Sequence, residues 1–220
     1  MKNSADRIIH PDELIRLCHS EKDLLAHISN ALAHHKPQKF IYKKAESRPA
    51  AVLIPLFFKN NQAHLLFTKR TDYVEHHKGQ ISFPGGSRDG DDASLQITAL
   101  RETEEEVGIK SSDVTILGQT DVFLTNTHFL VTPFVGFYKY PYPYIINDGE
   151  IDRLIEIPLT HFFKEDIFEI KPYEKDGHKW RVHYYTYGKE IVWGVTGFLL
   201  SNFLSIVFGF NRNISEVNPS

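Results

Sequence analysis

The chain lacks several features that would assign it to a class at once. One cysteine, Cys18, stands alone among 220 residues, so no internal disulfide is possible and nothing indicates an oxidising compartment. There is no basic surplus: 25 Lys and Arg against 28 Asp and Glu leave a formal net charge of -3, which argues against a nucleic-acid partner. The opening stretch "MKNSADRIIHPDEL" lacks the apolar core of a secretion signal, and the expectation is a cytoplasmic protein. Repeats and low-complexity segments are absent as well. Charge is missing from one long run, "IVWGVTGFLLSNFLSIVFGF" from Ile191 to Phe210, about the length of a membrane span. No basic cluster flanks it to orient a span. On a helix starting near Thr196, Ser201, Asn202 and Ser205 gather on one side, while Leu199, Phe203, Ile206 and Phe210 line another. The run reads as a core helix or subunit interface, with no membrane partner.

What is present suits a globular protein. Apolar residues make up 41% of the chain and the mean hydropathy is -0.31, enough for one generous domain with appendages. "SEKD" at Ser20–Asp23 starts a helix with Ser20 as N-cap, running through "LLAHISNALAHH" and stopping before Pro37. "QKFIYKKAESRP" reads as a linker. The runs "AAVLIPLFF" and "AHLLFTKR", separated by "KNNQ", form a hairpin, and Pro55 points to an edge or bend in its first strand. Further strands are expected at "VTILGQT", "FLVTPFVGFY" and "WRVHYYTY". This alternation implies an α/β or α+β sandwich. Residues 1–45 form an N-terminal helical extension and linker, and 46–220 the main domain with its C-terminal helix.

The chemistry concentrates in "GGSRDGDDASLQITALRETEEEVGI", Gly85 to Ile109. Asp91 or Asp92 is placed to cap a helix here, and Gly108 suits the left-handed residue that ends it. Glu102, Glu105 and Glu106 are spaced i, i+3, i+4 and share one arc, while Glu104 points away. Like charges at such spacing cost about 0.2–0.5 kcal/mol per pair. Three neighbouring carboxylates need a compensating charge to stay ionised. A divalent cation supplies it, and oxygen-only ligands favour Mg²⁺ or Mn²⁺ over zinc. Without its surroundings, the same run would read as a solvated acidic helix face.

Those surroundings resemble the Nudix hydrolase signature. "FPGG" precedes the helix, and Arg101, Glu102, Glu105, Glu106, Gly108 and Ile109 fall in register with R-E-x-x-E-E-x-G followed by an apolar residue. Thr103 stands where an aliphatic residue is usual. Ala93 stands where an acidic one is, with Asp92 one step earlier and the loop after Gly86 one residue longer. The resemblance implies an α/β/α sandwich around a mixed β-sheet and hydrolysis of a diphosphate linked to another moiety. It also implies that Glu102, Glu105 and Glu106 hold the metal and that Arg101 orients Glu105. The general base comes either from the box helix or from a later loop, where "NDGEI" offers Glu150.

A longer stretch narrows the resemblance. "LFTKRTDYVEHHKGQISFPGG", Leu66 to Gly86, looks like the additional motif of coenzyme A diphosphatases, with Thr68, Arg70, Gly79, Phe83, Pro84, Gly85 and Gly86 in register. Phe67, Thr71 and Glu75 depart from it, and Glu75 reverses a charge. "FLVTPFVGF", "EIDRLIEIPL" and "VWGVTGFL" extend the likeness downstream. "EHHKG" makes a poor transition-metal site, because adjacent histidines do not readily share an ion. His77 and Lys78, with Arg70, Gly85 and Gly86, are instead read as contacts to a phosphate-rich ligand. The aromatics of "HYYTYGKEIVWG" are read as core before base-stacking.

The resemblance therefore implies a Mg²⁺- or Mn²⁺-dependent hydrolase of a small-molecule nucleotide substrate. Coenzyme A or its thioesters would be cleaved to 3′,5′-ADP and the phosphopantetheine portion. The alternative is another nucleoside diphosphate derivative, such as ADP-ribose or a nucleotide sugar, and a ligand-binding protein without turnover is a third reading. A homodimer is compatible with the sequence.

Overall fold

The computed structural model describes residues 11–41, 46–71, 79–175 and 178–211. Two helices open it, Pro11–Leu17 (α1) and Glu21–His34 (α2). Ser20 caps α2 as its spacing suggests, its Oγ accepting from the Asp23 amide at 3.4 Å. Leu24, Ile28 and Leu32, four apart, form the stripe that α2 buries.

The segment expected as a linker instead contributes a short strand, Lys39–Phe40 (β1). Asp121 explains the difference. Its buried carboxylate accepts from the Gln38 amide at 2.7 Å and from Asn202 at 2.8 Å, and the His35 ring lies 2.6 Å away. A buried carboxylate needs such partners, and supplying them pins the chain beside the sheet.

Arg48–Lys59 (β2) and Gln62–Arg70 (β3) form the expected hairpin, with Asn60 and Asn61 at φ 52° and 56° in its turn. Pro55 is on no edge: β2 pairs with strands on both sides. Leu53 donates to the Pro84 carbonyl, and Pro55 lies two residues further along that same side. There β2 has left Gly85–Ser87 (β5) and has yet to meet β3, whose pairing begins at Leu56. The missing N–H falls in the gap between two partners.

The remaining elements are Ile81–Ser82 (β4), Leu95–Val107 (α3), Thr115–Gln119 (β6), Val122–Leu124 (β7), Phe129–Phe137 (β8), Ile151–Pro158 (β9), Phe168–Lys175 (β10), His178–Tyr187 (β11), Glu190–Trp193 (β12) and Gly194–Phe208 (α4). A nine-stranded sheet runs β1-β7-β8-β2-β3-β4, with β5, β6 and β9 joined to β2, β8 and β3. It is mixed: β2 with β8 and β1 with β7 are parallel, and the other pairs antiparallel. Alternation along β2 sorts the two faces. Ala51 and Leu53 pack with Ala99 of α3, whereas Ile54 and Leu56 join the large cluster containing Leu24 of α2 and Phe203 of α4. The result is an α/β/α sandwich in which α1 and α2 share one core with α4.

Most of the uncharged C-terminal run becomes α4 and buries into that core, while its first three residues, Ile191–Trp193, complete β12, and β10-β11-β12 forms a second sheet beside it. Among the described residues no helix is long and apolar enough to cross a membrane. The polar residues of α4 have specific partners. Ser201 Oγ lies 2.6 Å from His183 Nδ1 and 2.7 Å from Tyr185 Oη, and Asn202 reaches Asp121. His183 and Tyr185 are thus core, while Tyr184 and Trp193, on the other face of this sheet, are half-buried and stack with ring centroids 5.7 Å apart.

Candidate active site

α3 carries the acidic run and lies along β2. Its N-cap is Ser94, whose Oγ accepts from the Ile97 amide at 3.3 Å, in place of the expected Asp91 or Asp92. Asp92 is committed elsewhere. Buried to 4% exposure, it takes Nε and Nη2 of Arg101 at 3.1 and 3.0 Å, Thr98 Oγ1 at 2.8 Å and the Asp89 amide at 2.9 Å. The Arg101 hydrogen bonds hold the Asp92 carboxyl well below the usual range against the effect of burial. Gly108 ends the helix at φ 75°, as its position suggests.

The loop before α3 approaches it closely. A side chain at Gly86 would place its Cβ 2.5 Å from the Glu102 carboxyl group, and at Gly85 (φ 153°) 2.3 Å from the Ala51 carbonyl. At Gly85, against backbone and at positive φ, only glycine allows that approach, whereas a side chain at Gly86 would displace the Glu102 carboxyl group.

The three carboxylates occupy different environments. Glu106 is buried at 4% exposure, and burial pushes its carboxyl up to about 8, against the pull of Arg70 and a hydrogen bond from the Gly85 backbone. Its Oε2 has no hydrogen-bond partner among the described residues. Glu102 is also raised by burial, offset by Arg101. Glu105 is more exposed and lies 2.9 Å from Arg101 Nη1. Arg101 Nη2 also meets Glu102 Oε1 at 2.9 Å and the Ser87 carbonyl at 3.2 Å. Glu104 points away, accepting from the Ser111 amide and hydroxyl.

Two more of the singled-out residues come to this place. Arg70, at the end of β3, lies 3.6 Å from Glu106 Oε1 and 3.4 Å from Glu150 Oε2. The loop ahead of Glu150 is tied to α3, since the Asn147 amide donates to the Glu106 carbonyl at 3.0 Å. The Thr71 amide then holds the Glu150 carbonyl at 2.8 Å. Arg70, Gly85, Gly86, Arg101, Glu102, Glu105, Glu106 and Glu150 therefore share one site, while Glu75, His77 and Lys78 lie outside the described residues.

Among the described residues no three His, Cys, Asp or Glu side chains form a ready coordination shell. Arginines engage the trio instead. The residues nonetheless fit a hard divalent cation: all donors are oxygens, one buried oxygen lacks a partner, and glycine backbone stands against Glu102. The sequence marks Asp92 only as a candidate helix cap, and its role as the anchor of Arg101 is not legible there. The single-residue shift in the loop after Gly86 masked it, although its distance of nine residues from Arg101 was visible.

A family profile described as NUDIX domain matches residues 47–136. A Yersinia pestis (strain Pestoides F) protein named "Uncharacterized Nudix hydrolase NudL" is 38% identical over 159 residues, covering 72% of this chain and 79% of the relative. A protein of the same name from Yersinia pseudotuberculosis (serotype O:1b, strain IP 31758) matches to the same extent. Among solved structures, a C. elegans Ap4A hydrolase binary complex aligns with TM-score 0.44 at 19% identity, covering 50% of this chain and 80% of that one. The NUDIX domain of Shewanella oneidensis NrtR complexed with ADP ribose aligns with TM-score 0.41 at 18% identity, covering 61% and 84%.

Proposed function

The chain belongs to the Nudix hydrolase family, and from that premise we propose that it cleaves the diphosphate of coenzyme A or its thioesters, releasing 3′,5′-ADP and the 4′-phosphopantetheine portion. One observation carries the reading. Both ends of the coenzyme A-type segment meet at Glu106, Arg70 at 3.6 Å from its carboxylate and Gly85 through a backbone hydrogen bond. The stretch that resembles a coenzyme A motif is therefore joined to the acidic site.

Glu102, Glu105 and Glu106 would hold Mg²⁺ or Mn²⁺, which when bound supplies charge neutralisation at the diphosphate and lowers the pKa of the attacking water. Arg70 binds non-bridging phosphate oxygens beside Glu106, with Gly85 and Gly86 keeping the backbone close. Arg101, anchored by Asp92, holds Glu102 and Glu105 in orientation, a positioning role. Glu150 takes the proton of the attacking water on its carboxylate as the water oxygen bonds to phosphorus. The bridging P–O bond breaks and the second phosphate leaves with its electron pair.

Purified protein with Mg²⁺ or Mn²⁺ should hydrolyse coenzyme A and acetyl-coenzyme A at least about tenfold more efficiently than ADP-ribose or NADH, a difference of about 1.4 kcal/mol in transition-state binding. Equal or better turnover of ADP-ribose would overturn the substrate assignment and leave the Nudix chemistry intact.

A further inference from the structure

The sheet face opposite α3 holds a charge arrangement that bears on this site. Lys69 and Arg153 are direct cross-strand partners on β3 and β9. Like charges so placed repel and weaken the pairing. Glu190, the first residue of β12, joins them: Oε2 accepts from Lys69 Nζ at 3.0 Å and Oε1 from Arg153 Nη2 at 2.5 Å. Its side chain is only 12% exposed. Burial works to raise its carboxyl, yet Lys69 and Arg153 together hold it below the ordinary value.

Immediately beyond this clamp the register slips. Lys69 pairs with Arg153 but Arg70 pairs with Ile151, leaving Asp152 as the extra residue. Such a bulge re-aims the side chains next to it. Alternation along β3 puts Leu65 and Phe67 in the core cluster of α4 and Leu66 in the cluster of Val107 on α3. Lys69 therefore projects to the α4 side and Arg70 to the α3 side, where it reaches Glu106 and Glu150. Thr71 and Glu150, joined by a 2.8 Å backbone hydrogen bond, close the same end of the strand pair.

We infer that Glu190 is a positioning residue: by bridging Lys69 and Arg153 it fixes the bulged strand end that presents Arg70 and Glu150 to the acidic trio. The inference rests on the Nudix hydrolase reading of that site. Glu190 acts through the backbone from the other side of the sheet. The second sheet is thereby coupled to catalysis through one carboxylate.

The test uses the full-length protein and coenzyme A with Mg²⁺, or whichever diphosphate substrate the parent turns over. Glu190→Gln keeps the shape and removes the carboxylate shared by Lys69 and Arg153, leaving Arg153 only its pair with the neighbouring Asp152, so kcat/KM should fall about tenfold, within the range known for small misplacements of reacting groups. Glu190→Asp should retain most activity. Lys69→Gln added to Glu190→Gln removes one of the repelling cations and should return kcat/KM to within about threefold of the parent. Mn²⁺ affinity, read by electron paramagnetic resonance, should stay within about threefold throughout, because α3 presents the carboxylates that would bind it. An active parent whose Glu190→Gln variant lies within about twofold of it overturns the inference alone. Failure of the Lys69→Gln change to restore activity, or loss of Mn²⁺ affinity alongside activity, also overturns it. An inactive parent overturns the functional reading and the inference with it. Should Glu190→Gln not fold, the double variant still decides: folded and active supports the clamp, unfolded or inactive refutes it.

Discussion

At the scale of single residues, Glu106 and Asp92 show how burial and pairing push two carboxyl groups in opposite directions. Burial pushes Glu106 up to about 8, so below that pH it largely holds a proton that a divalent cation binding there would have to expel. Mn²⁺ affinity should therefore strengthen from about pH 6 to 8, by up to about tenfold per unit, and level off above it. A flat profile over that range would remove Glu106 from the ligand set. The sign for stability is opposite. Because the folded protein keeps this proton longer than the unfolded chain, the metal-free fold should weaken as pH rises from about 4.5 toward 8. Glu106→Gln should fold as well as the parent, lose at least about two orders of magnitude in turnover, and show a shallower pH dependence of Mn²⁺ binding. Asp92 is held low by Arg101, so its contribution is present above the ordinary carboxyl range and is lost as pH falls below it. Asp92→Asn should cost about 1.5–3 kcal/mol in urea unfolding at neutral pH, and less near pH 3. An equal loss at both pH values would show that the charge-assisted bond to Arg101 contributes nothing.

At the scale of elements, what could be read from the sequence was what local chemistry decides. Ser20 before α2, Gly108 after α3, the i, i+3, i+4 glutamates and the asparagine turn at residues 60 and 61 each act over a few neighbouring positions. What could not be read depends on distant partners. Asp91, Asp92 and Ser94 are all acceptable caps, and the bond to Arg101, nine residues past Asp92, takes Asp92 out of that choice. β1 forms because Asp121 waits for the Gln38 amide, and Pro55 enters a central strand because β2 changes partners there. The clamp at Glu190 joins residues 121 and 37 positions apart, beyond any local pattern. The docking of α4 on β11 was equally hidden, and it turns on Gly197. A Cβ at Gly197 would stand 2.5 Å from the His183 carbonyl oxygen, a backbone atom with little room to yield. Gly197→Ala, although favourable to an isolated helix, should destabilise the protein by about 1–3 kcal/mol through overpacking. A urea midpoint at or above the parent's would mean that α4 sits further from β11 than this.

At the scale of the whole molecule, the uncharged C-terminal run decides whether the protein holds together. Phe198, Leu199, Leu200, Phe203, Leu204, Val207 and Phe208 of α4 are all buried, in the same cluster as Leu14 and Cys18 near the N-terminus. Each fully buried side chain of this size contributes about 1.5–3 kcal/mol. Against a total stability of about 5–15 kcal/mol, a chain ending before Gly194 cannot make up the loss. Cys18 reports the outcome independently of activity. It is fully buried, and burial pushes its thiol up to about 12, so a thiol reagent near pH 8 finds neither access nor thiolate. Intact protein should leave Cys18 unmodified until denaturant is added, and the truncated chain should be modified at once and aggregate. The same logic reaches the N-terminal helices. They bury Leu24, Ile28 and Leu32 in that cluster, so removing residues 1–45 should expose the opposite side of one shared core and lower the urea midpoint. A truncation before Gly194 that stayed soluble, active and unreactive at Cys18 would show that the nine-stranded sheet stands without α4, and would overturn the single-core account.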